Sequence, residues 1–136
     1  MKKNLILAFL LLLVFTAGCS ASAPAADTEK SSQTFRQISQ EEAKEMMAKD
    51  DGHVVVDVRR QDEYDAGHIP GAILVPNESI GCDSPEALPD YDQIILVYCR
   101  SGNRSKQAAQ KLAGMGYTNI YEFGGITTWT GDVVTD

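Results

Sequence analysis

From residue 35 onward the chain switches repeatedly between two hydrophobic periods. Ser39-Gln40-Glu41-Glu42 has the S-x-x-E form of a capping box, and Ala43, Met46 and Met47 follow at helical spacing. This predicts a helix to about Lys49, broken by Asp50-Asp51-Gly52. Val54-Val55-Val56-Asp57-Val58 is a β-branched run typical of a strand covered on both faces. Asp62 to Ala66 permits a short helical turn closed by Gly67, and Ala72 to Val75 reads as a second short strand stopped by Pro76. Residues 77–92 are rich in turn signals and hold one short helix. Ile94-Ile95-Leu96-Val97-Tyr98 is the second strongly apolar run and therefore a central strand. From Ser105 to Met115 the apolar positions Ala108, Ala109, Leu112 and Met115 share one helical face, and Gly116 provides the stop. Ile120 to Phe123 gives a last strand, after which Gly124-Gly125 turns into a final short helix through Trp129. Strands alternating with helices imply right-handed crossovers and a parallel sheet covered on both sides.

The first 34 residues follow neither period. Met1-Lys2-Lys3 is a short basic start, and the apolar run Leu5 to Phe15 follows. That run has the length of a signal-peptide core, roughly 7–15 residues, and is well short of the ~20 needed to span a bilayer as a helix. It ends in Thr16-Ala17-Gly18-Cys19, which resembles the lipobox of bacterial lipoproteins, in which the cysteine is lipidated and becomes the mature N-terminus. Thr16 departs from the Leu most often found three residues before that cysteine. The rival cleavage, after Ala21-Ser22-Ala23, is hindered by Pro24 directly behind it. The expected organisation is a lipoprotein-type signal peptide over 1–18, a flexible tether rich in Ser, Ala, Thr and Pro over 19–34, and one folded domain over 35–136. Such a protein sits outside the cytoplasm, held to a membrane through the lipid on Cys19 alone.

Composition narrows the function classes. The chain has 136 residues, which allows one domain, and carries 12 Lys+Arg against 19 Asp+Glu for a formal charge of −7. Cleavage before Cys19 would remove two lysines and deepen that to −9. A binder of nucleic acid needs a basic face, so that class is excluded, as is attachment to anionic lipid by charge alone. At 43% hydrophobic and 23% charged residues, wholesale disorder is excluded too. The 3 cysteines make neither a disulfide framework nor a four-cysteine zinc site, and His53 and His68 add no further ligand pattern. No metal or other cofactor is implied.

The chemistry lies at the end of the central strand. Cys99-Arg100-Ser101-Gly102-Asn103-Arg104-Ser105 joins a buried strand to a helix, where ligands of open α/β sheets bind. Gly102 permits tight curvature, so successive backbone N–H groups can turn inward. The following helix adds its positive end, and Arg100, Arg104 and Lys106 put three cations near one thiol. Each effect favours thiolate over thiol. The expected result is a nucleophilic cysteine in a cradle shaped for an anion. Ser105 is expected to cap the helix.

Four segments, in order, together resemble the single-domain rhodaneses over roughly residues 36–132. They are Asp57-Val58-Arg59 with Glu63-Tyr64, the segment Gly67-His68-Ile69-Pro70-Gly71-Ala72, the loop Cys99 to Ser105, and Gly124-Gly125-Ile126 with Trp129. The resemblance implies a rhodanese-like α/β fold, with a mostly parallel sheet of about five strands flanked by helices on both faces. It also implies that Cys99 carries sulfane sulfur as a persulfide, taken from an anionic donor such as thiosulfate and passed to cyanide or a thiol. Arg100, Ser101, Gly102, Asn103, Arg104 and Ser105 would form the substrate cradle. Arg104 either holds the donor or braces the loop. Related phosphatases and arsenate reductases keep five residues between cysteine and arginine, whereas four intervene here, a ring better suited to sulfur than to phosphate.

The remaining candidates have structural readings. Asp57 and Arg59 are expected to form a supporting polar pair, His68 to be hydrogen-bonded scaffold, and Trp129 to pack in the core. Cys82 falls outside every motif and reads as a half-buried inert thiol or as a partner resolving oxidised Cys99. Two-domain thiosulfate sulfurtransferases tend to carry an arginine where Glu63 stands, so the natural donor is open. A monomer is expected. The alternative of a different class is a tethered sulfur carrier or partner-binding module without turnover.

Overall fold

The computed structural model describes residues 34–135. The expected signal peptide, Cys19 and the expected tether as far as residue 33 lie outside the described residues. The elements run β1 (Arg36–Gln37), α1 (Gln40–Met47), β2 (Val54–Asp57), α2 (Gln61–Asp65), β3 (Ile73–Leu74), β4 (Ile94–Cys99), α3 (Asn103–Met115) and β5 (Asn119–Gly125). Single 3-10 turns occupy Asn77–Ser79 and Ile126–Thr128. The strands form one parallel sheet in the order β1-β5-β4-β2-β3. The parallel α/β sheet of five strands with helices on both faces is the architecture expected.

The two apolar runs form the centre of this sheet because residues along a strand alternate between its faces. Val56, Val58, Ile95, Val97, Cys99 and Ile120 share a core with Ala108, Ala109, Leu112 and Ala113 of α3. Val55, Leu96, Tyr98 and Phe123 face the other way, against Ala43, Met46 and Met47 of α1. Neighbours in sequence on β4 therefore serve different layers: Tyr98 belongs to the α1 side and Cys99 to the α3 side.

The helix ends follow local chemistry. Ser39 caps α1, its hydroxyl accepting the Glu42 N–H at 3.1 Å, as the S-x-x-E pattern predicts. Gly116 ends α3 at φ 110°, and the Gly116 and Tyr117 amides donate back to Ala113 and Leu112. The start of α3 differs from expectation. The helix opens at Asn103 behind Gly102, a left-handed cap at φ 102°, so Ser105 is the third helical residue and not the cap. Its hydroxyl turns inward instead. One strand was not foreseen: β1 is two exposed residues long and owes its conformation to pairing of Arg36 and Gln37 with Tyr121 and Glu122.

Candidate active site

Cys99 is the last residue of β4 and is fully buried, with Sγ accepting the Gly102 N–H at 3.0 Å. Burial pushes its thiol up, but the Ser105 hydroxyl and the amides of Ser105, Gly102 and Ser101 outweigh it. The thiol is held below its ordinary value. The peptide groups achieve this because, aimed at a buried sulfur, they stabilise the anion and not the neutral form. Gly102 makes the turn possible, since a positive φ at the cap brings its own N–H round to the sulfur.

The loop is fixed from both sides. Arg104 places Nη1 and Nη2 on the two carboxylate oxygens of Glu63, at 2.6 and 2.8 Å. Glu63 thereby has its carboxyl lowered to about 2, chiefly through that guanidinium, with help from the Arg60 amide. Of the three cations near the thiol, Arg104 is thus paired, while Arg100 and Lys106 have exposed side chains. On the other side the carbonyl of Arg100 accepts from the Thr127 amide at 3.2 Å and its hydroxyl at 3.0 Å. Gly125 lies directly beneath: a Cβ there would run into the carbonyl oxygen of Arg100.

Asp57 and Arg59 are brought together, but on the α1 side of the sheet. The Asp57 carboxylate accepts from Arg59 Nε at 3.0 Å, from Arg59 Nη2 at 2.7 Å and from the Tyr98 hydroxyl at 2.7 Å. Arg59 also donates to the Gly67 carbonyl at 2.7 Å, and Tyr98 accepts the Ile69 N–H at 3.1 Å. This network ties β2, β4 and the Gly67–Ile69 segment together, with both members of the ion pair buried. His68 is buried, stacked on Tyr64 at 3.7 Å between ring centroids, and paired through its backbone with Val134. Trp129 packs at the edge of the α1-side core, its ring 5.7 Å from that of Phe123. Cys82 is a free thiol and is exposed, where a half-buried one was expected. Among the described residues, no three His, Cys, Asp or Glu side chains are grouped to hold a metal ion.

One residue at the site was not anticipated. Val97 pairs with Glu122 and Cys99 with Gly125, so β5 carries one residue more than β4 over this interval. The extra residue makes a bulge, a device that re-aims side chains beside active sites. Gly124, at φ 91°, takes the strain, and Glu122 Oε1 accepts its N–H at 2.8 Å. The same oxygen accepts the Ser105 hydroxyl at 2.6 Å. Glu122 is buried. The available signal was a carboxylate two residues beyond Ile120, hence on the inward face of a strand otherwise apolar there. A cleft of about 320 Å³ opens beside this point, walled by Ser39 and Gln40 at the start of α1, by Ser101, Gly102 and Lys106, and by Gly124.

An acidified thiol ringed by amides, off the carboxyl end of a parallel sheet's central strand, defines a cysteine-dependent group-transfer enzyme. Comparison with known proteins names the group. The model of the rhodanese-like domain matches residues 39–132. The thiosulfate sulfurtransferase GlpE of Pseudomonas entomophila is 42% identical over 96 residues, covering 70% of this chain and 84% of that protein. The thiosulfate sulfurtransferase PspE of Escherichia coli is 37% identical over 71 residues, covering 52% and 68%. Among solved structures, a rhodanese with anions from E. coli matches with a TM-score of 0.57 at 32% identity, over 62% of this chain and 99% of that one. A rhodanese-like domain protein from Staphylococcus aureus matches with a TM-score of 0.63 at 27% identity, over 75% and 99%. The chain belongs to the rhodanese-like domain family, and its enzyme class is the rhodanese-type sulfurtransferase.

Proposed function

We propose that the protein moves sulfane sulfur from a small anionic donor, with thiosulfate as the assay substrate, to a thiophilic acceptor through a persulfide on Cys99. In the first half-reaction the Cys99 thiolate attacks the outer sulfur of thiosulfate. A new S–S bond forms, the S–S bond of thiosulfate breaks, and sulfite leaves with the electron pair, as in thiol–disulfide exchange. The negative outer sulfur of the persulfide would lie among the amides of the loop. In the second half-reaction cyanide or a thiolate attacks that outer sulfur, and the Cys99 thiolate is released as thiocyanate or a new persulfide forms. The chain's own groups suffice for both steps.

The observation that carries this reading is the Gly102 amide 3.0 Å from Cys99 Sγ, within a loop whose hydrogen bonds lower the thiol. Arg100 steers the anionic donor, whereas Arg104, engaged by Glu63, braces the loop. Ser101, Gly102, Asn103 and Ser105 complete the cradle, and Asp57 with Arg59 supports it from the opposite face. The test is intact mass after incubation with thiosulfate, then after cyanide. A gain of one sulfur that cyanide removes, absent in Cys99→Ala, is expected. No gain from thiosulfate or any other sulfane donor overturns the proposal, and a gain that no acceptor discharges would make the protein a carrier instead.

The N-terminal pattern supports a second part of the reading: a lipoprotein, acylated at Cys19 and held to a membrane outside the cytoplasm. Mass analysis of the N-terminal peptide from the membrane fraction tests it. Acylated Cys19 is expected, and an unmodified N-terminus at Pro24 refutes the anchor.

A further inference from the structure

Glu122 is only 3% exposed, yet the protein uses just one of its two carboxylate oxygens. Oε1 accepts both the Ser105 hydroxyl at 2.6 Å and the Gly124 amide at 2.8 Å. Oε2 has no hydrogen-bond partner among the described residues. Nor is it sealed in the core, because Gln93 Nε2 is the one side-chain polar atom among those residues that is both enclosed and unpartnered. Oε2 therefore opens on the cleft that Glu122 lines. A carboxylate oxygen so placed, with little water to solvate it, favours a charged donor.

The same cleft presents the opposite charge. Lys106 of α3 lines it, and among the described residues its ammonium makes no ion pair and no hydrogen bond. Lys106 and Glu122 are the only charged side chains in the wall. Gln40 fixes one side, its Nε2 donating to the Gly125 carbonyl at 2.9 Å and the Thr128 hydroxyl at 3.1 Å. The Ser39 hydroxyl accepts the Glu42 amide and keeps its own proton to donate.

The fold places the cleft where ligands bind. β1 runs into α1 on one face of the sheet and β4 into α3 on the other, with β5 between them. The crevice this leaves beyond the carboxyl end of β5 is the kind of site that open α/β sheets use. At about 320 Å³ it suits a small molecule. Cys99 does not line it, although Ser101 and Gly102 of the cysteine loop do.

From these observations we propose that the cleft is a second binding site, for a small zwitterion of the amino-acid class, with its ammonium on Glu122 Oε2 and its carboxylate on Lys106. A simple anion would leave Oε2 without a donor and add a like charge beside it. A simple cation would leave Lys106 unpaired. A zwitterion answers both, and once bound it joins Ser101 and Gly102 to the end of β5.

The proposal does not rest on sulfur transfer, and the full chain carrying Cys99→Ala serves for the titration, so the two readings fail separately. Isothermal titration calorimetry compares L-serine with 3-hydroxypropionate, which lacks the ammonium, and with ethanolamine, which lacks the carboxylate. Saturable binding of L-serine is expected. 3-Hydroxypropionate should bind about tenfold more weakly, having lost a charge-assisted contact to a buried group. Ethanolamine should bind about fivefold more weakly, having lost an exposed charge contact. Adding Lys106→Gln should weaken L-serine about fivefold and remove its advantage over ethanolamine. Adding Glu122→Gln should weaken it about tenfold and remove its advantage over 3-hydroxypropionate. Absence of saturable L-serine binding overturns the proposal and would leave Lys106 as the partner of Glu122 itself. Equal binding by either analogue overturns it, and so does a Lys106→Gln chain that binds like its parent. If Glu122→Gln does not fold, as judged by circular dichroism, the analogue series and Lys106→Gln decide.

Discussion

Arg104 and Glu63, 41 residues apart, meet as a two-point pair at 2.6 and 2.8 Å across the mouth of the cysteine loop. The pair joins the first turn of α3 to α2 and spends the loop's second arginine on a carboxylate of the protein itself. A pH dependence follows. Glu63 is lowered from 4.5 to about 2 in the folded chain. A carboxyl depressed on folding adds stability that is complete above its unfolded value and is lost as pH falls through its folded one. Glu63→Gln should therefore lower stability near neutrality by on the order of 1 kcal/mol, discounted because both partners reach solvent. The difference from the parent chain should close between about pH 4.5 and about pH 2, read as melting temperature across that range. A gap that persists at the acid end would show that the pair is not its source.

Gly125 gives a sharper loss. A methyl group there meets the carbonyl oxygen of Arg100, which Thr127 already holds. Something must shift, and the obstacle is backbone. Gly125→Ala is expected to displace the amides from Cys99 and to cost on the order of 10²-fold in kcat/KM, as misplacement by about 1 Å does. Cys99 labelling at neutral pH should slow in parallel. Unchanged labelling would mean that the loop absorbs the methyl elsewhere.

Much of this was legible in the chain, for a physical reason in each case. Val54–Val58 and Ile94–Tyr98 predict central strands because a strand covered on both faces has no polar side to show. Cys99 to Ser105 predicts an anion cradle because a glycine, a helix start and arginines converge on one thiol. What escaped depends on contacts distant in sequence. Arg36–Gln37 is a strand only because β5 pairs with it. The bulge exists as a mismatch between β4 and β5 and has no signature on either alone. Ser105 has the chemistry of a cap, yet Gly102 takes that place because only its positive φ turns an amide onto the sulfur. Arg104 and Lys106 look alike in sequence, and only the position of α2 separates the paired cation from the exposed one.

Asp57→Asn tests the division of labour between the faces of the sheet. The Asp57 carboxylate is fully buried and answers Arg59 and Tyr98 together. Removing its charge leaves the buried Arg59 guanidinium uncompensated, which typically costs 3–5 kcal/mol. Denaturant midpoints should show that loss. The protein that remains folded should keep the parent rate of Cys99 labelling, since Cys99 faces α3. Intact stability with lost activity would instead give Asp57 a part in binding substrate.

Arg100→Ala separates the two arginines of the loop. The Arg100 side chain is exposed, and it is the Arg100 carbonyl, unaffected by the substitution, that Thr127 holds. Stability should therefore stay within about 0.5 kcal/mol of the parent. The loss should fall on the anionic donor: KM for thiosulfate is expected to rise about fivefold, equivalent to ~1 kcal/mol for a solvent-exposed charge contact. Added salt should erase the difference, because such attraction is screened beyond a Debye length of about 10 Å at 0.1 M. Labelling of Cys99 by neutral iodoacetamide should be nearly unaffected. A large fall in kcat with KM unchanged would place Arg100 in the transition state, and a fall in stability would make it a brace like Arg104.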